Sequence, residues 1–354
     1  MNPRDVIRPF DYRDVRLLPS RWQAQLLHAR DYYLAVSNDD ILHGYRRAAG
    51  LPAPGEPLGG WCSENSDTVF GQWLSGMARL FRATGDEEMR VKAIHLVEEW
   101  RKTLPADGDC RMGLYACDKL ICGLVDLALF AEYEPARGLL ESTLSWVQRS
   151  FSAERTPADA DNLNGEPHEW YTFAENIYRA YELTGNPEYL DLAASYHYHA
   201  FWDRFAESPR PADAYHIHAY HVHAYSHVNS FSSAAMAYRA TGDERFLAIA
   251  RNAYDYLQET QCFATGGFGP MERLVPPDGT LGRSLEARAN TFEAVCGSWA
   301  GFKLSRYLQQ LTGEARYGDW AERLLYNAAG AALPITDRGK HFYYADYRLA
   351  GGMK

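Results

Sequence analysis

The chain has 354 residues, 46% of them hydrophobic, enough to bury a sizeable core in one large domain or two modest ones. Its formal net charge of −10 lacks the basic footprint that nucleic acids and anionic membranes require, and so points to a neutral or cationic small-molecule partner. No run approaches the roughly 18 apolar positions of a membrane span, and residues Met1 to Arg8 hold no apolar signal core, so a cytoplasmic protein is expected.

In chain order, amphipathic runs pair around short turns. The turns lie at Ser37-Asn38-Asp39-Asp40, at Arg82-Ala83-Thr84-Gly85-Asp86-Glu87, near Tyr133-Glu134-Pro135, at Glu182-Leu183-Thr184-Gly185-Asn186-Pro187, at Arg239-Ala240-Thr241-Gly242-Asp243-Glu244 and at Leu311-Thr312-Gly313-Glu314. Apolar residues flank them at helical spacing, as in Ile177, Tyr178 and Tyr181 before one turn and Leu190, Ala193 and Tyr196 after it. Glycine suits the left-handed cap that ends one helix, and Asp or Asn caps the next. A repeat of helical hairpins about every 50 residues makes either an open solenoid or a closed ring. Six hairpins close a double ring, so the predicted fold is all-α, an (α/α)6 barrel spanning residues 1–354 as a single domain. The long connections between hairpins, at residues 50–67, 151–170, 205–225 and 263–291, are expected to carry the site.

Those connections and the helices they lead into hold polar and aromatic residues. The first offers Trp61, Asp67, Gln72 and Trp73; the second offers His168, Glu169, Trp170 and Tyr171, followed by Glu175 and Asn176. Such a lining suits a carbohydrate, with rings stacking on the sugar face and amides or carboxylates binding hydroxyls, although each residue could equally be a cap or core filler. The third holds His216, His218, His221, His223 and His227, either a metal cluster or a polar loop whose imidazoles bind ligand or backbone. In the fourth, Gly266, Gly267 and Gly269 let the backbone approach a ligand closely before Glu272. There Phe268 and Met271 can shield the carboxyl from water, the condition under which it serves as a general acid near neutral pH. Glu293 and Cys296, at i and i+3, are expected on one side of a helix start, as half of a tetrahedral metal site or as a buried structural thiol. The six cysteines form no CxxC pair, and Cys117 and Cys122 lie in an apolar helical stretch as reduced, buried thiols.

Taken in order, these motifs resemble the β-L-arabinofuranosidases of glycoside hydrolase family 127 and relatives over nearly the whole chain. They are Gly71-Gln72-Trp73-Leu74-Ser75, the Thr-Gly-Asp turns, Gly266-Gly267-Phe268-Gly269 with Glu272, Phe292-Glu293 with Cys296-Gly297-Ser298-Trp299 and Lys303-Leu304, and Glu322-Arg323-Leu324-Leu325-Tyr326-Asn327. The resemblance implies an (α/α)6 barrel and retaining glycoside hydrolysis, with Glu272 as general acid/base. It also implies a zinc ion held by a glutamate and three cysteines, one of them the nucleophile. Cys296 matches the first of these cysteines and Glu293 the glutamate, although the family spacing is Glu-x-Cys and this chain has Glu-x-x-Cys. Sugar contacts carry over to His223, Glu322 and Tyr344, and the local reading adds His227, Trp170 and Gln72.

The sequence departs from the family at one point. The family's Cys-Cys pair lies downstream of the stretch that here reads His341-Phe342-Tyr343-Tyr344, and these 354 residues contain no such pair. The expectation is therefore a barrel lacking its C-terminal part, both that motif and the β-sandwich region that follows it in relatives, and an activity impaired by the missing nucleophile. Rival readings keep the ring and change the role. One is a sugar epimerase, lyase or unsaturated-uronide hydrolase using the histidine cluster, the other a non-catalytic sugar-binding protein.

Overall fold

The structure, a computed structural model, describes residues 2–62, 67–151, 169–211, 223–287, 292–332, 342–345 and 352–353. Among these residues all six predicted hairpins are present. They are α1 (Arg21–Ala35) with α2 (Asn38–Ala48), α3 (Asp67–Thr84) with α4 (Glu87–Arg101), and α5 (Leu114–Phe130) with α6 (Ala136–Ser150). The later three are α7 (Ala174–Thr184) with α8 (Glu188–Ala194), α10 (Ala224–Thr241) with α11 (Glu244–Tyr256), and α13 (Cys296–Thr312) with α14 (Arg316–Leu324). Helices α9 (His199–Glu207) and α12 (Thr280–Glu286) and the short α15 (Gly330–Ala332) lie outside the pairs. No helix among the described residues is long and apolar enough to cross a membrane.

The Thr-Gly-Asp turn is a self-contained hydrogen-bonding device. In α3, α7, α10 and α13 the threonine hydroxyl donates to the carbonyl four residues back, at 2.7 to 2.8 Å, and accepts from the N–H two residues on, at 3.1 to 3.2 Å. The glycine that follows adopts a left-handed φ of 74 to 80° and caps the helix by donating to the carbonyl four residues back. Asp86, Asn186 and Asp243 then accept from the N–H two residues on, opening the second helix of the pair. The orphan groups of both helix ends are thus met inside the turn, which is why the motif recurs wherever a hairpin must be tight.

The chain divides into two compact units. One comprises residues 10–154 and 179–189 and is centred on α3 packed against α5. A Cβ at Gly71 would lie 2.0 Å from the Lys119 carbonyl oxygen, and one at Gly123 would lie 2.4 Å from that of Gly71, so the two backbones touch. Beside this crossing Asp126 is fully buried, at 0% exposure. Its carboxylate accepts from Arg79 Nε at 2.7 Å, from the Arg179 guanidinium and from the Ser75 hydroxyl. Burial pushes the Asp126 carboxyl up, but the charges of Arg179 and Arg79 and the hydrogen bonds outweigh it and hold the group below its ordinary value.

The other unit comprises residues 1–9, 155–178 and 190–354. Its centre is α10, in which every residue from Ala224 to Ala237 is buried. Such a helix cannot be amphipathic; it is covered all round, by α11, α13 and the 3-10 turn Trp170–Thr172 among others. Several of its serines are satisfied locally, as where Ser230 donates to the His227 carbonyl at 2.7 Å and Ser233 to that of Thr172 at 3.3 Å, while the Asn229 Oδ1 and Ser232 Oγ atoms are buried without a hydrogen bond among the described residues. A three-stranded antiparallel sheet completes this unit: β1 (Phe292–Glu293), β2 (Phe342–Ala345) and β3 (Gly352–Met353), in that order. In its register Glu293 faces Tyr344 and Phe292 faces Ala345.

Replacing Asp126 by Asn leaves two partly buried guanidinium groups without their counter-charge and should cost about 3–5 kcal/mol of stability. The lowered value of the carboxyl means that its contribution is present above the unfolded value near 4 and is lost as pH falls through the folded one. Urea unfolding at pH 7 should therefore separate wild type from Asp126→Asn, and the gap should narrow in acid. A pH-independent gap would refute the charge argument.

Candidate active site

His223 is the N-cap of α10, and its ring lies between two carboxylates. Nδ1 is 2.9 Å from Glu169 Oε1 and Nε2 is 3.1 Å from Glu293 Oε2. Both ring nitrogens can donate only when the imidazole is protonated. Burial lowers the affinity of the ring for its proton, but the hydrogen bonds and charges of Glu169 and Glu293 win and push the value up to about 10. Glu293 is 4% exposed, and its other oxygen accepts from the Tyr343 hydroxyl at 2.5 Å. Cys296 Sγ lies 3.5 Å from the same hydroxyl. Burial, then the neighbouring Cys296 and Glu293, drive the Tyr343 phenol far above its ordinary range, so it remains a donor.

Glu272 reaches this group on a strained loop. Gly269, Met271 and Glu272 have φ of 75, 54 and 65°, and the latter two carry side chains in a region that disfavours them. A Cβ at Gly269 would meet that of Ala224 at 2.4 Å, so only glycine lets the loop run against the start of α10. Several contacts over-determine this path. Trp320 Nε1 donates to the Gly266 carbonyl at 2.8 Å, Asn327 Nδ2 to that of Thr265 at 3.0 Å, and Arg273 bridges His223 in antiparallel fashion.

Downstream, the loop is clamped by one amide. A π-helical turn, Leu257–Gln261, ends α11 and leaves Gln261 fully buried. Its side chain mimics a strand partner: Nε2 donates to the Val275 carbonyl at 2.9 Å, and Oε1 accepts from the Val275 N–H at 3.0 Å. The result is a group of His223, Glu272 and Glu293 whose ligand atoms all lie within 4.8 Å of one another, a set that could hold a metal ion.

The sequence-predicted residues are only partly gathered here. His223, Glu272 and Glu293 come together, and Cys296 joins them through Tyr343. Glu293 and Cys296 do not share a helical face, however. The antiparallel pairing with β2 holds Phe292 and Glu293 extended, and α13 begins only at Cys296. Met271, expected to shield the Glu272 carboxyl, is 58% exposed, and Phe268 packs in the core against Phe292 and Trp320.

His227 is fully buried one turn below His223, donating from Nδ1 to the His223 carbonyl at 2.9 Å and ringed by Tyr171, Tyr198 and Phe201. Trp170 is likewise buried, edge-on to Tyr171 and Tyr198. Tyr344 stands opposite Glu293 in the register of β1 and β2. Glu322 is exposed on α14, and Gln72 is exposed on α3 in the other unit. His168, His216, His218 and His221 lie outside the described residues. The sequence alone did not single out Tyr343, whose only signal was its position beside Tyr344, and it offered Glu169 as one of several polar lining residues and not as the partner of His223.

The six hairpins and the site set into their connections define an (α/α)6 barrel protein. The model of the β-L-arabinofuranosidase GH127 catalytic domain matches residues 14–108 and 98–348, and the chain belongs to this family. A solved GH127 β-arabinofuranosidase superposes with a TM-score of 0.69 at 18% identity, covering 98% of this chain and 58% of that one. A GH127 β-L-arabinofuranosidase from Geobacillus stearothermophilus T6 gives a TM-score of 0.67 at 19% identity, over 94% of this chain and 58% of that one. A sugar epimerase from a ruminal bacterium gives a TM-score of 0.63 at 12% identity, over 92% and 90%. The chain thus spans 58% of the length of both GH127 structures. No curated protein matches it by sequence.

Two outcomes follow from this geometry. Because the folded-state value of His223 is raised above its ordinary 6.5, its stabilisation is complete below that pH and is lost as pH rises through about 10. Urea unfolding from pH 7 to 10 should show wild type losing stability more steeply than His223→Gln; parallel curves would remove the charged clamp. Gln261→Ala leaves both buried backbone groups of Val275 without that partner and should cost roughly 1–3 kcal/mol while speeding hydrogen exchange at the Val275 amide. An unchanged exchange rate there would show that the amide does not hold the loop.

Proposed function

We propose that the chain is a glycoside hydrolase of the β-L-arabinofuranosidase type, with Glu272 as its general acid/base. Membership of the family supports the substrate class. The observation that carries the mechanism is the approach of Glu272, Glu293 and His223 to within 4.8 Å of one another.

In this reading Glu272 gives its proton to the leaving oxygen as a nucleophile bonds to the anomeric carbon, then takes one from the water that displaces that nucleophile; the resemblance assigns the nucleophile to a cysteine of the Cys-Cys pair, which these 354 residues do not contain. His223 neutralises Glu169 and Glu293 and, with Tyr343, keeps Glu293 in one orientation. Glu322 and Tyr344 bind the sugar hydroxyls, as the resemblance implies; His223, whose two ring N–H groups are taken by Glu169 and Glu293, positions Glu293 instead, and His227 and Trp170 act from behind by fixing the wall on which His223 sits.

Zinc is the family's expected metal, and the donors suit it. Glu293 and Cys296 converge on one point, the Tyr343 hydroxyl, and His223 and Glu272 offer nitrogen and oxygen donors beside them. When bound, zinc keeps a ligating thiol deprotonated; ligation by His223 would displace the proton that the two carboxylates now hold there.

Glu272→Gln should lower kcat on an L-arabinofuranosyl disaccharide by about 10²–10⁴-fold with an unchanged thermal midpoint, and proton NMR of the first product should show the anomer of the substrate. A wild-type chain that epimerises free sugars without releasing arabinose would overturn the hydrolase reading in favour of the epimerase one.

A further inference from the structure

In the unit built on α3 and α5, two thiols meet where α5 begins. Cys110 Sγ and Cys117 Sγ lie 3.7 Å apart. The chain doubles back between them, with Arg111 at a left-handed φ of 50°. The bend is anchored on both sides: Trp146 Nε1 donates to the Met112 carbonyl at 3.1 Å, Arg149 pairs with Asp109, and Arg111 with Asp107 at 3.3 Å. Cys117 lies near the start of α5, whose N-cap, Gly113, supplies no side-chain acceptor. The positive end of the helix dipole there favours a thiolate. Cys110 is half-buried and can be reached from solvent, whereas Cys117 is fully buried beneath it. The hydrogen bond with Cys117, against the effect of burial and helped by the Met112 N–H, holds the Cys110 thiol below its ordinary value. Burial instead drives Cys262 up to about 12.

We propose that Cys110 and Cys117 are a redox-active dithiol that hydroperoxides convert to an intrachain disulfide. The Cys110 thiolate attacks one peroxide oxygen, the O–O bond breaks, and the departing hydroxide leaves as water once protonated. Cys110 is then a sulfenic acid. The Cys117 sulfur attacks the Cys110 sulfur, and the S–O bond breaks to release a second hydroxide, which takes the Cys117 proton. In sum, two thiols and one hydrogen peroxide give one disulfide and two waters, sulfur being oxidised and peroxide reduced. The sulfurs must close from 3.7 Å to about 2.05 Å, a shift within reach of side-chain rotation in a bend that already brings them together.

The test uses the full chain and hydrogen peroxide, followed by alkylation and non-reducing tryptic mass spectrometry. The expected product links peptide 103–111 to peptide 112–119, lowers the thiol titre by two per chain, and reverts with dithiothreitol. Cys110→Ser and Cys117→Ser should each lose the link, and Cys122→Ser should keep it. Recovery of both wild-type peptides in alkylated form would overturn the proposal, as would Cys110 driven to the sulfinic acid with Cys117 still free. Neither result depends on the sugar chemistry.

Discussion

One imidazole between two carboxylates holds the site together. Glu169 leads into the turn before α7, His223 opens α10, and Glu293 ends β1, so three segments distant in sequence meet at one ring. A buried carboxylate is costly unless its charge is met, and two side by side would repel each other as well. A protonated histidine answers both carboxylates at once because its two donors point in opposite directions. The same residue fixes the fourth segment, since its backbone bridges Arg273, next to Glu272. Loss of the ring's charge would therefore loosen both carboxylates and remove the counter-charge of the wall that faces the acid/base.

A clamp of this kind needs a rigid floor, and α10 supplies it. Ser230 and Ser233 bond back to neighbouring carbonyls, while Tyr171 and Tyr198 stack at 4.7 Å beside His227. The rigidity also explains how Met271 and Glu272 keep positive φ angles. Strain of that type persists only where surrounding contacts over-determine the backbone. Here Trp320 and Asn327 fix the loop upstream, and Gln261, turned inward by a π-helical turn, fixes it downstream. The glycine turn visible in the sequence is thus only half of the device; the rest is a buried amide 11 residues before Glu272, with no local signature.

This contrast marks what was legible. The hairpins follow from periodicity and from Thr-Gly-Asp turns that satisfy their own hydrogen bonds, so local sequence suffices to place them. His223, Glu272 and Glu293 could be named because each sits in a distinctive motif, yet nothing local says that they converge. Tyr343 reaches Glu293 through a pairing of two short strands 50 residues apart, and a two-residue strand has no period to detect. The same pairing defeats the helical i, i+3 reading of Glu293 and Cys296. His227 misleads for a related reason: it follows His223 by one helical turn, but α10 is buried on every side, so that turn carries it into the core.

Three buried carboxylate networks are met by different cations, and the difference bears on chemistry. Asp126 is met by Arg79 and Arg179, whose guanidinium groups keep their protons at any pH the fold tolerates. That charge is fixed and can only be structural. Glu175 is answered by the Lys303 ammonium and by the Tyr307 hydroxyl at 2.9 Å. Glu169 and Glu293 depend instead on an imidazole, whose proton a metal ion can displace by competing for its nitrogen. A mobile charge therefore sits where Glu272 enters. Around Asp126 the counter-charge is permanent; here it can change hands.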